Sequence, residues 1–112
     1  MRFVNCAFWA PCNQIAKIAG KGTVGFSDCT FAQWDRNQEG RAALQAESGN
    51  VIVRGCEFQQ DKPQVSLGQA VKRAVISGNI VRGRLRVTNE SKGSVIVKDN
   101  ASDEPESGTK SE

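Results

Sequence analysis

The chain contains no histidine and no tyrosine in 112 residues. Without an imidazole, neither a Ser-His-Asp triad nor a histidine-based acid and base pair can be assembled within this chain. It also lacks any apolar run near the roughly 20 residues that a spanning helix needs. Met1-Arg2-Phe3-Val4 leads into no signal-peptide hydrophobic core. No membrane contact is therefore expected, although in a fragment a missing leader says nothing about export. Cysteine is present without a metal pattern. Cys6 and Cys12 are separated by five residues, Cys29 and Cys56 lie far away, and no histidine completes a zinc set. No metal or other cofactor is expected. Gly20-Lys21-Gly22-Thr23 lacks the glycine spacing of a phosphate-binding loop and reads as a tight turn.

What the chain does have is a phrase repeated five times: Asn5-Cys6-Ala7-Phe8, Asp28-Cys29-Thr30-Phe31, Gly55-Cys56-Glu57-Phe58, Gly78-Asn79-Ile80-Val81 and Asp99-Asn100-Ala101. Counted from the Cys or Asn, the steps are 23 (6 to 29), 27 (29 to 56), 23 (56 to 79) and 21 (79 to 100). A period of this size marks a solenoid. Ahead of each later phrase runs an alternating apolar pair: Val24 and Phe26, Val51 and Val53, Ala74 and Ile76, Val95 and Val97. Period-two alternation means strands, so each turn lays strands on its predecessor and like residues stack in ladders. A βαβ array is the competing arrangement. Asn13 to Ala19 and Gln64 to Val75 admit a helical reading, but both also contain strands. Ile15-Ala16-Lys17-Ile18 occupies the place of Ala43-Leu44-Gln45-Ala46, Val65-Ser66-Leu67 and Leu85-Arg86-Val87 in later repeats.

Asn50-Val51-Ile52-Val53-Arg54-Gly55-Cys56-Glu57-Phe58, echoed by Ala74-Val75-Ile76-Ser77-Gly78-Asn79-Ile80-Val81, resembles the repeat of the pectate lyase superfamily. That resemblance spans about residues 1 to 100 and implies an all-β, right-handed parallel β-helix of about four coils. It is specific for fold and weak for chemistry. Members include secreted or periplasmic polysaccharide lyases and glycoside hydrolases, together with tailspikes and adhesins, so fold alone does not choose among them. The lyases pair an Arg or Lys base with calcium held by an Asp cluster, and no such cluster occurs here. No catalytic residue is assigned, and whether the chain belongs to an enzyme stays open. Four coils are few for such an enzyme, and the first repeat begins at Met1 without a cap. The chain therefore reads as the C-terminal coils of a longer protein, extracellular or periplasmic if that protein is secreted. A non-catalytic adhesin, tailspike or assembly module is the alternative.

Residues 101–112 are too polar to bury anything and are expected to form a disordered acidic tail. Residues 1–100 carry 14 basic and 8 acidic side chains. A basic body favours anionic partners such as acidic polysaccharides. Nucleic acid fits less well, because the charge is scattered and only two Trp are available for stacking. Trp9 and Trp34 are expected on loops that leave one edge of neighbouring coils. Beside them come Asp35, Arg36, Gln59, Gln60, Asp61, Lys62, Arg82 and Arg84, a mixture suited to polysaccharide or oligosaccharide binding. The alternative, that both Trp pack beneath their own loops, remains open. Ile52, Val75 and Ile96 fall on outward positions of successive coils and form an apolar stripe, covered either by a loop or by a second copy in a homo-oligomer. Cys6, Cys29 and Cys56 share a ladder position continued by Asn79 and Asn100. Their side chains project in parallel, which does not readily give disulfide torsions, so free thiols are expected.

Overall fold

The computed structural model describes residues 1–9 and 14–103, with Trp9 described through its backbone alone. The first turn holds β1 (Arg2–Val4), β2 (Ala7–Trp9) and β3 (Ala16–Ile18). The second holds β4 (Thr23–Ser27) and β5 (Thr30–Ala32) and opens β6 (Leu44–Arg54). The third runs from β6 through β7 (Glu57–Phe58) into β8 (Val65–Ser77). The fourth continues β8 through β9 (Ile80–Val81) to β10 (Val87–Asn89), and β11 (Ser94–Lys98) and β12 (Ala101–Ser102) begin a fifth. Every pairing is parallel. No described residue is helical: the segments that admitted a crossover helix hold the strands Ala16–Ile18 and Val65–Ser77, and the βαβ array is excluded. The chain is a parallel β-helix of about four turns.

The registers reproduce the repeat. Phe3, Phe26, Val53, Ile76 and Val97 form one inward ladder, and Phe8, Phe31, Phe58 and Val81 form a second. Phe26, Phe31, Val53, Phe58 and Ile76 are all buried. Phe8, Phe31 and Phe58 are stacked with ring centroids 5.3 and 4.8 Å apart, close to the spacing of adjacent strands. The corner between these ladders also has one solution used five times. Asn5, Asp28, Gly55, Gly78 and Asp99 all have φ between 54° and 66°. A left-handed corner admits Gly, Asn or Asp with little steric cost, which accounts for the first residue of each repeated phrase.

The next residue builds a hydrogen-bonded column. Cys29 Sγ donates to Phe3 O (3.4 Å) and Cys56 Sγ to Phe26 O (3.5 Å). Asn79 Nδ2 donates to Val53 O and Asn100 Nδ2 to Ile76 O, both at 3.2 Å. Each side chain thus reaches the equivalent carbonyl of the preceding turn. Cys6, Cys29 and Cys56 are free thiols, and Cys12 lies outside the described residues. Burial pushes the Cys56 thiol up to about 11. Because both side chains are shut away from solvent, Cys29 and Cys56 should react with a thiol reagent at pH 8 only as fast as the fold opens, and more slowly than half-buried Cys6. Peptide mapping of trapped native protein checks this, and a disulfide joining Cys29 to Cys56 would contradict it.

Two expectations need correction. Val87, not Leu85, lies beside Val65. A slip of two residues leaves the same side chains inward, so alternation alone could not set this register. Gln64 sets it instead: fully buried, its Oε1 accepts from Arg86 N (2.6 Å) and its Nε2 donates to Arg84 O (3.1 Å). The folded body also continues beyond residue 100. Ala101 and Ser102 pair with Ile80 and Val81, and Asp103 N donates to Gly83 O (2.9 Å). Residues 104–112 of the expected tail lie outside the described residues.

Candidate functional site

Of the edge residues expected to meet a ligand, Trp34 and Asp35 on the 33–41 loop turn inward. Trp34 has no exposed surface, donates from Nε1 to Pro63 O (2.7 Å) and meets the Phe58 ring edge-on. It therefore offers no face to a sugar. Asp35, 3% exposed, accepts backbone N–H groups from Glu39 at Oδ1 and Gly40 at Oδ2, each at 2.9 Å. Burial alone would raise its pKa, but the donors from Glu39, Arg41 and Gly40, aided by the Lys62 charge, hold it below the usual carboxylate value. A depressed folded pKa means that the stability Asp35 contributes is fully present at neutral pH. It is lost only as the pH falls through that lowered value. Lys62 Nζ donates to Trp34 O (2.7 Å) and ties the next turn to this loop. Arg36 remains on the surface. The Trp9 side chain lies outside the described residues.

Asp61 has a structural task as well. It pairs with Arg86 Nη2 (3.0 Å) and accepts from Arg84 N (3.3 Å), both in the following turn. Glu39 pairs with Arg41 at 2.8 Å. Asp35, Glu39 and Asp61 are thus each bound into local structure. Among the described residues, no group of three or more His, Cys, Asp or Glu is placed to hold a metal ion.

Of the other candidates, Gln59, Gln60 and Arg82 come together around one depression. This shallow depression of about 790 Å³ lies on the outside of the β2–β5–β7–β9–β12 sheet, and Gln33, Glu57 and Asp103 line it as well. Phe58 and Val81 lie beneath, and Ile80, 60% exposed, stands at one side. Strand alternation explains five of the set: Glu57 and Ile80 follow the inward Cys or Asn by one residue, and Gln59, Arg82 and Asp103 follow it by three. Both positions face outward. Among the described residues, the buried Gln60 Oε1 atom finds no hydrogen-bond partner. Asp103 Oδ2 accepts from Gly83 N (2.8 Å), which anchors the far wall. Gln33, Glu57, Ile80 and Asp103 were not singled out from sequence. The outward parity of Glu57 and Ile80 was available, whereas Asp103 fell beyond the limit drawn for the folded body.

No family model, curated protein or solved structure matches this chain.

Proposed function

We propose that this chain supplies glycan-binding coils of a carbohydrate-active parallel β-helix protein, binding polysaccharide rather than holding a full active site, in an extracellular or periplasmic setting. The observation that carries the reading is the depression at Gln59, Gln60, Arg82 and Asp103. It presents amides, a guanidinium and carboxylates at strand spacing. Sugar hydroxyls need donors and acceptors in such mixtures. The basic repeats favour acidic over neutral glycans.

Binding by so open a surface should be weak, with a Kd of about 1 mM, equivalent to about −4 kcal/mol. Amide chemical-shift titration with acidic and neutral oligosaccharides should move Gln59, Gln60 and Arg82. Arg82→Ala should weaken the acidic ligand about tenfold. Shifts confined to other faces, or a variant that binds as well as the parent, would reject the site.

A second reading, a non-catalytic assembly module, is favoured by the outward stripe. Gly25, Ile52, Val75 and Ile96 are register partners, with Ile96 44% exposed and no described strand paired across the stripe's outer face.

A further inference from the structure

We infer that the outward face built by β1, β4, β11 and the second halves of β6 and β8 docks an acidic amphipathic polypeptide segment. Its aliphatic side chains would lie on the row Ile52, Val75 and Ile96, and its carboxylates on the basic side chains beside that row. This rests on the assembly reading of the stripe, whose partner it names, and not on the glycan depression, which lies on the other sheet.

The face follows from strand parity. Val51, Val53, Ala74 and Ile76 are buried, so Asn50, Ile52, Arg54, Arg73 and Val75 point the other way. Ile52 pairs with Val75 and Val75 with Ile96, which sets three branched aliphatic side chains in a row at steps of about 4.8 Å. One turn earlier the row reaches Gly25. There the stem of Arg2 lies alongside, its Cγ 3.7 Å from the place a Cβ on Gly25 would occupy, and carries the apolar surface onward. Ile52 and Val75 are half-buried and Ile96 is 44% exposed. An apolar row rimmed by polar positions has the form of a contact surface.

Charge names the partner. On one side of the row Arg54 and Lys98 flank Ser77, and on the other Arg73 stands between Asn50 and Ser94. With Arg2, the face carries four cations and no carboxylate, since Asp28 and Asp99 belong to the left-handed corner beyond it. Among the described residues none of the four is in an ion pair, and Arg73 Nη1 donates to the neutral Asn50 Oδ1 (3.5 Å). An acidic partner gains the attraction of all four, whereas a second copy docked face to face would set cations against cations. No aromatic side chain stands on these outward positions, so the face lacks both the stacking platform of a sugar site and the anchors of a membrane interface. A polypeptide segment supplies the two features that the face does match, aliphatic side chains and carboxylates.

The probe is a synthetic peptide of about 14 residues, about 21 Å long as a helix, with Leu at every third or fourth position and Glu between. Titrated at low salt into the isotopically labelled full chain, it should move the amides of Ile52, Arg54, Val75 and Ile96 and leave those of Gln59 and Arg82 in place. Ile52→Ser should weaken binding about tenfold, and so should Arg54→Glu combined with Arg73→Glu, each with an unchanged circular-dichroism spectrum. Arg82→Ala should bind as the parent does, and the same peptide with Lys in place of Glu should not bind. Shifts confined to other faces, or full binding by the Arg54→Glu, Arg73→Glu protein, would overturn the inference. So would binding of phosphatidylserine vesicles but not of the peptide, which assigns the face to a membrane. Sedimentation separates the two readings: self-association abolished by Ile52→Ser would overturn the acidic partner and keep the assembly module, whereas a monomer that ignores the peptide would remove both.

Discussion

Replacing Phe31 with alanine should lower the unfolding free energy by about 3–5 kcal/mol, the range for a fully buried aromatic. Phe31 has no exposed surface and lies between Phe8 and Phe58 in one stack, with the edge of Phe26 against it. The loss therefore includes ring contacts on two neighbouring turns as well as transfer out of water. A domain of this size has a total stability of about 5–15 kcal/mol, so the variant should sit near the limit of folding. Denaturant titration followed by circular dichroism measures the difference. A loss below about 1 kcal/mol would place the ring at the surface and the strand one residue out of register.

Asn79→Ala should be the costliest polar substitution. Asn79 is 1% exposed, and its amide makes three bonds: Oδ1 accepts from Cys56 N (2.9 Å), while Nδ2 donates to Val53 O (3.2 Å) and Asn100 Oδ1 (2.9 Å). Alanine removes the side-chain partners of Cys56 N and Val53 O inside the column, while Asn100 Oδ1 keeps its bond from Asn79 N (3.1 Å), and each stranded group costs about 1–3 kcal/mol. A total of at least about 2 kcal/mol is expected. Asn79→Cys, which keeps a donor toward Val53 O, should recover part of the loss. Thermal melts of the two variants check the order. If alanine is no worse than cysteine, the column is not a hydrogen-bonded element.

The coils were legible because one corner is built the same way each time. A left-handed residue, an inward Cys or Asn, and an inward Phe or Val two positions later leave a mark in sequence even where the spacing varies. The site was legible only where strand parity reaches. Gln59 and Arg82 continue the alternation and face outward as expected. Past Ala32 the alternation ends, because Gln33 and Asp35 both take positive φ (63° and 53°) and turn the chain, which carries Trp34 into the core. A polar stretch with two such reversals contains no periodic signal from which burial of its one indole can be read. Gln64 was hidden for another reason: it is polar by composition, but its amide is satisfied by the backbone of the next turn. Asp103 joined the fold through a single bonded pair with Gly83, too little to show in composition.

The central claim is that successive turns stack in parallel register along the chain. Amide-to-amide and amide-to-α nuclear Overhauser contacts in isotopically labelled protein test it most directly. Cross-strand contacts should join the neighbourhoods of Val53 and Ile76, of Phe58 and Val81, and of Val65 and Val87. Sequential short-range contacts typical of a helix across Val65–Ser77, or cross-strand contacts in antiparallel order, would contradict the β-helix.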